Sequence, residues 1–196
     1  MAIEWTLLDP GHGAEEKGIF DPGTQHGTAS ESLLNLKIAK RAYEMLYNYK
    51  GINLTRTDIR DKLLGLGVKG LNNRAQIAIG GGAKQFISIH CNSAGSPNAH
   101  GLQVYYQEGG IGQDLARHVY QHLFSAALFA GYDFTSQWTG VRPANYQVLR
   151  KCNNAKIPAC LIEYGFLSNE QDRAWIASAE GQLAAAYGLA RAVMSL

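Results

Sequence analysis

Three ionisable side chains stand where extended runs of the sequence end. His12 follows residues 3–8 through Asp-Pro-Gly, His90 closes FISIH, and Glu163 closes ACLIE. Open α/β sheets bind ligands outside the carboxyl ends of their strands, so three such residues on distant strands can meet at one rim. Two imidazoles and a carboxylate are donor types of a zinc site. An acid ending an apolar strand is costly to bury unless it is paired or used in chemistry, and that marks Glu163 for a role. The histidines taken singly are less telling: His12 fits a hydrogen-bonded glycine turn as well as a ligand, and His90 fits a satisfied core edge. Glu31 opens a helical stretch after a Gly-rich loop. It reads either as a third ligand or as the acid of a capping box, Thr28-Ala-Ser-Glu31, folded back on Thr28.

Successive strand residues face opposite sides of a sheet. Cys91 is therefore expected to point away from whatever His90 faces, and Cys160, three before Glu163, to do the same. The odd count of three cysteines, with Cys152, suits reduced thiols better than a disulfide framework.

The elements that must position these residues alternate between strand and helix. Strands are expected at 3–8, 52–55, 86–90, 102–106 and 159–163, with a further one at 146–149. Helical periodicity runs from Glu31 to Lys50 through Leu34, Ile38, Ala42, Met45, Leu46 and Tyr49, with Gly51 as its stop. Further helices are expected at 70–80, closed by Gly80-Gly81-Gly82, and at 112–130, with Leu115, Val119, Leu123 and Ala126 on one side. Ser168-Asn-Glu-Gln171 has the form of a capping box for a helix near 169, and a last helix covers about 180–195. The pattern is that of a single α/β domain: a twisted, mostly parallel, mixed sheet of about six strands with helices on both faces.

Composition narrows the partners. The chain has 196 residues, 46% of them hydrophobic and 17% charged, a globular balance. No apolar run approaches the ~20 residues of a membrane span, so membrane insertion is not expected. A net charge of +2 without a Lys/Arg cluster argues against nucleic acid as the partner. MAIEWTLLD has no basic leader region, so synthesis in a cytoplasm is expected.

Four blocks then carry a likeness: LLDPGHG (7–13), ESLLNLKIAKR (31–41), LTRTD (54–58) with NNRAQIA (72–78) and FISIHCNSAG (86–95), and IPACLIEYGFLSN (157–169). In this ordered set the chain resembles the zinc-dependent N-acetylmuramoyl-L-alanine amidases of the amidase type 3 kind. The resemblance implies that His12, Glu31 and His90 hold Zn²⁺ and that Glu163 is the catalytic acid/base. It also implies the substrate, peptidoglycan, cut between the lactyl group of N-acetylmuramic acid and L-alanine. The chain departs from the family pattern at Ala14, where a second glycine is usual, and in its longer segment 14–30, which contains His26.

Weaker candidates remain double-sided. Arg142 either contacts a substrate carboxylate or is a solvated loop arginine, and Asn92 either orients a ligand or caps the turn after His90. Arg56 and Arg74 read as structural ion-pair residues. Asp114, His118 and His122 share one helical face and read as a solvated face rather than a second metal site. Only residues 107–110 separate strand 102–106 from helical sequence, where division-type relatives carry an inhibitory insertion, so an uninhibited enzyme is expected. A monomeric lysin, released to the cell wall in the manner of a phage enzyme, is the expected setting. The rivals are a catalytically silent peptidoglycan-binding module and a zinc peptidase cutting within the stem peptide.

Overall fold

The computed structural model describes residues 6–14, 20–46, 52–54 and 71–196. Strand β1 (Thr6–Pro10) leads into two small antiparallel hairpins, β2 (Gly13–Ala14) with β3 (Phe20–Asp21) and β4 (Gln25–His26) with β5 (Ala29–Ser30). Helix α1 (Glu31–Met45), strand β6 (Ile52–Leu54), helix α2 (Leu71–Gly81) and strand β7 (Gln85–Asn92) follow. Next come β8 (Leu102–Gln107), α3 (Gln113–Phe129), β9 (Gly140–Ala144) and α4 (Gln147–Asn154). The chain closes with β10 (Ala159–Phe166), α5 (Glu170–Ala177) and α6 (Ala179–Met194).

Six strands form the main sheet in the order β6-β1-β7-β10-β8-β9. The first four are mutually parallel, β8 runs antiparallel to β10, and β9 is parallel to β8. This is the mixed, mostly parallel sheet expected from the sequence. Alternation along its strands divides the core in two. Leu8, Ile87, Ile89, Cys91, Cys160 and Ile162 pack with Leu34 and Ile38 of α1, Val119 and Leu123 of α3, and Leu189 of α6. Leu7, Phe86, Ala159 and Leu161 face the other way, against Ala75 and Ala78 of α2 and Val148, Leu149 and Cys152 of α4. All three cysteines are free and buried, and Cys91 and Cys160 share the first face as parity requires.

The structure corrects several local readings. Residues 146–149 are not a strand: they open α4, whose Val148, Leu149 and Cys152 bury a helical face. The sixth strand is Gly140–Ala144 instead, and its Pro143 is tolerated because β9 lies at the sheet edge. Met45, assigned to the buried stripe of α1, is 38% exposed, and in α3 Ala127 rather than Ala126 is the buried position. Gly51, Tyr49 and Arg56 lie outside the described residues.

Neither capping box forms as read. The N-cap of α1 is Ser30, with no side-chain cap hydrogen bond. Glu31 Oε2 accepts from the Thr24 N–H at 2.9 Å rather than folding back on Thr28. The hairpin tucks residues 22–24 under the helix start, where Thr24 and Pro22 carbonyls accept the Glu31 and Ser32 N–H groups. At α5 the cap is Asn169, one residue later than expected, with Oδ1 accepting from the Asp172 N–H at 3.0 Å. Ser168 Oγ is occupied by the Ala94 N–H.

Candidate active site

β1, β7 and β10 are adjacent and parallel, so their carboxyl ends lie at one rim. Glu163 pairs in register with His90, which places the two residues side by side on strands ~4.8 Å apart. The β7–β10 register shifts between Glu163 and Phe166. Such bulges are common beside sites, where they re-aim side chains. His12 arrives differently: β1 ends at Pro10, the Gly11 N–H donates to the Ile89 carbonyl at 2.9 Å, and His12 takes a left-handed φ of 60°. That conformation is uncommon for a residue with a Cβ and is tolerated here by tight surroundings.

Those surroundings are specific. Arg74, from α2, donates to the carbonyls of Pro10 and His12 and pairs with Asp9 at 2.6 Å, while Ser88 Oγ donates to Asp9 Oδ2 at 2.7 Å. Arg74 is therefore a structural ion-pair residue, as its type and place suggested, and it clamps the turn that carries His12. Gly11 is needed for contact: a Cβ there would stand 2.2 Å from the His90 ring.

Helix α1 delivers Glu31 from behind the rim. Its Oε1 lies 3.1 Å from His12 Nε2 and 2.9 Å from His90 Nδ1, and the two imidazoles meet edge-on with centroids 4.9 Å apart. One ligand atom from each of His12, Glu31 and His90 lies within 4.8 Å of the others, the one such group that could hold a metal among the described residues. The donor set fits zinc: two imidazole nitrogens, one carboxylate oxygen, and an opening on the solvent side. Burial alone would lower the His12 pKa, but the hydrogen bonds and charges of Glu31 and Asp21 outweigh it and raise it to about 9. Burial likewise pushes Glu31 up, and the two histidines overcome it, holding Glu31 well below the usual carboxylate range. The cluster thus favours positive charge at the point between its donors.

Glu163 stands in the same cleft with the opposite balance. Burial pushes its pKa well above the ordinary value, the Glu31 charge adds to this, and His12 opposes it. Its Oε2 is buried without a hydrogen-bond partner among the described residues. Two hollows share His12, Asp21, His90 and Glu163. The more enclosed is a cavity of about 330 Å³ walled by Tyr146, Val148 and Leu161, and the other opens past Thr24 and Asn92.

The remaining candidates fall into place less centrally. Asn92 lines the open hollow, with Nδ2 donating to Gln103 Oε1 at 2.7 Å and Oδ1 accepting from the Ser93 N–H at 2.7 Å. Arg142 is not a loop residue. It sits in β9, its Nη2 donating to the carbonyls of Gln137 at 3.1 Å and Trp138 at 3.0 Å, and it lines neither hollow. His26 reaches Ser93 Oγ at 3.3 Å from the β4–β5 hairpin. His118 and His122 are linked through Ser195 Oγ at the end of α6, while Asp114 is exposed and faces Arg117, so the three do not converge.

Sequence reasoning missed Asp21. The β2–β3 hairpin folds it back beside Gly13, and its Oδ2 accepts from His12 Nδ1 at 2.6 Å. A signal was present: Asp21-Pro22-Gly23 repeats the triplet Asp9-Pro10-Gly11 that precedes His12.

A doubly flanked α/β sheet collecting imidazoles and acids at its carboxyl rim defines, as a class, an enzyme-like site with a donor group that could hold a metal. The particular family follows from comparison: the family described as N-acetylmuramoyl-L-alanine amidase (Amidase_3) matches residues 6–195, and the chain belongs to it. It is 33% identical over 173 residues to "Probable cell wall amidase LytH" of Staphylococcus epidermidis, covering 87% of this chain and 50% of that protein. It is 32% identical over 168 residues to the "Sporulation-specific N-acetylmuramoyl-L-alanine amidase" of Bacillus subtilis, covering 85% of this chain and 57% of that protein. The solved structure of N-acetylmuramoyl-L-alanine amidase AmiC2 of Nostoc punctiforme superposes with a TM-score of 0.80 at 30% identity, covering 99% of this chain and 97% of that one. The chain spans about half the length of the curated relatives it matches.

Proposed function

We propose that this protein is a zinc-dependent amidase that hydrolyses the bond between the lactyl group of N-acetylmuramic acid and L-alanine in peptidoglycan. The observation that carries the reading is the convergence of His12, Glu31 and His90 beside the partnerless Oε2 of Glu163. Family membership supplies the substrate class.

His12 Nε2, a Glu31 oxygen and a His90 ring nitrogen would hold the ion. The chemistry zinc supplies in such a site is polarisation of the amide carbonyl and acidification of a water. Glu163 takes a proton from the attacking water and returns it to the leaving nitrogen, which departs poorly unless protonated. Its burial suits the second role, since a raised pKa lets a carboxyl carry a proton at neutral pH. The apolar wall of Tyr146, Val148 and Leu161 excludes water from one side of the reacting group. Asn92 shapes the opposite wall through its bonds to Gln103 and Ser93.

Mass spectrometry of peptidoglycan digested by the zinc-loaded protein and by its Glu163→Gln variant tests the reading. Stem peptides beginning with free L-alanine, released by the unmutated protein alone, are expected. Cleavage within the stem would replace the substrate assignment with a peptidase, and zinc-independent binding without products would leave a binding module.

A further inference from the structure

Residues 21–24, from the end of β3 onward, bracket the metal-ligating cluster. Asp21 Oδ2 meets His12 Nδ1 at 2.6 Å, and Asp21 Oδ1 accepts the Gly23 N–H at 2.9 Å, so both carboxylate oxygens are engaged and the side chain is fixed. One position after Gly23, the Thr24 N–H holds Glu31 Oε2 at 2.9 Å. This leaves Glu31 Oε1 facing both histidines. Gly23 lies so close that a Cβ would stand 2.6 Å from Glu31 Oε2 and 2.7 Å from His12 Cδ2. Residues 21–24 thus touch two of the three candidate ligands while offering no ligand themselves.

A neutral imidazole carries one proton, and the nitrogen that carries it cannot bind a metal. A carboxylate 2.6 Å from Nδ1 keeps a proton on Nδ1, so the nitrogen that gives up its proton to a metal is Nε2, the one that faces Glu31. Resting on the zinc reading above, we infer that Asp21 is a positioning residue that sets the His12 tautomer and ring orientation for metal binding through Nε2, and that the 21–24 bracket prepares the site before the ion arrives. Asp21 is partly exposed at the rim, so it acts through His12 geometry and not through the fold's core.

The test measures zinc affinity by competition with a chromophoric chelator, alongside thermal unfolding of the zinc-free proteins. Asp21→Ala is expected to weaken zinc roughly 10–100-fold, the usual effect of losing a carboxylate behind a ligating histidine. Asp21→Asn falls between, because its one oxygen must serve both His12 and Gly23. Unfolding midpoints of the zinc-free variants stay within a few degrees of the unmutated protein. Long-range ¹H–¹⁵N spectra of the zinc-loaded protein should show His12 protonated at Nδ1 and bound through Nε2. Unchanged zinc affinity in Asp21→Ala, or His12 bound through Nδ1, would overturn the inference while leaving the zinc centre standing. An unmutated protein that binds no zinc would overturn the centre and the inference with it.

Discussion

Glu163 and Asp172 are both acids taken out of water near the carboxyl end of β10, and their surroundings are opposites. Asp172 is fully buried and saturated: Oδ1 accepts from Tyr132 OH at 2.6 Å, and Oδ2 accepts the N–H groups of Gly101 at 2.9 Å and Phe166 at 2.8 Å. It also sits in the first turn of α5, where a negative charge suits the helix dipole. Glu163 faces the cleft with Oε2 unpartnered. Buried polar groups are normally paired, so an acid with every oxygen engaged belongs to the framework. One left without a partner in a cleft is a candidate for contact with a bound molecule.

The contrast is broken most severely at Glu163. Glu163→Gln should lower peptidoglycan turnover by about 10²–10⁴-fold, the usual contribution of a positioned proton-transfer group. Its thermal midpoint should be little changed, because the Oε2 position it alters has no partner to lose; a large fall would place Glu163 in the framework. Asp172→Ala should do the reverse. Three donors lose their acceptor, at a cost of about 3–5 kcal/mol, which lowers the midpoint by roughly 10 °C in calorimetry. Zinc affinity of the folded fraction should stay within about twofold, since none of the hydrogen-bond partners of Asp172 is His12, Glu31 or His90.

A gentler probe is pH. The His12 pKa is raised from 6.5 to about 9 in the zinc-free protein, so its contribution to stability is fully present below pH 6.5 and is lost as pH rises towards 9. Metal and proton compete for the same nitrogen, so zinc affinity should climb over that window while the zinc-free midpoint falls. A flat zinc titration between pH 6.5 and 9 would show that His12 does not bind the ion. The smallest effect is expected at the rejected cluster: His122→Ala should leave zinc stoichiometry unaltered and shift stability by roughly 0.5 kcal/mol or less.

The candidate site was legible in proportion to how much of it is local. His12, His90 and Glu163 each follow an apolar strand, and strand ends are readable because β-branched and apolar residues give way to glycine and polar ones. The face that Cys91 and Cys160 take was readable too, since alternation is a property of the strand alone. The reading failed where a segment's conformation depends on what it packs against. Tyr146-Gln147-Val148-Leu149 is a run too short to show its period, and packing beside α2 decides that a helix starts at Gln147. The Thr28 capping box has the right residues, yet the β4–β5 hairpin brings Thr24 to Glu31 first. The repeated Asp-Pro-Gly triplet marks Asp21 in the sequence, but its partner does not show there for the same reason, because His12 lies across a hairpin closed by pairs at Gly13 and Ala14.

Residue order and type were enough to establish an α/β chain, the strand ends bearing His12, His90 and Glu163, and the likeness to an amidase family. Those features arise from periodicity and from short motifs, which act over a few residues. Tertiary folding alone decided that β1, β7 and β10 would be neighbours, that Glu31 would reach two imidazoles through one oxygen, and that Asp21 would lock His12 while Glu163 went unpaired. Distances and desolvation between segments far apart in the chain set ligand geometry and proton affinity, and no local pattern encodes them.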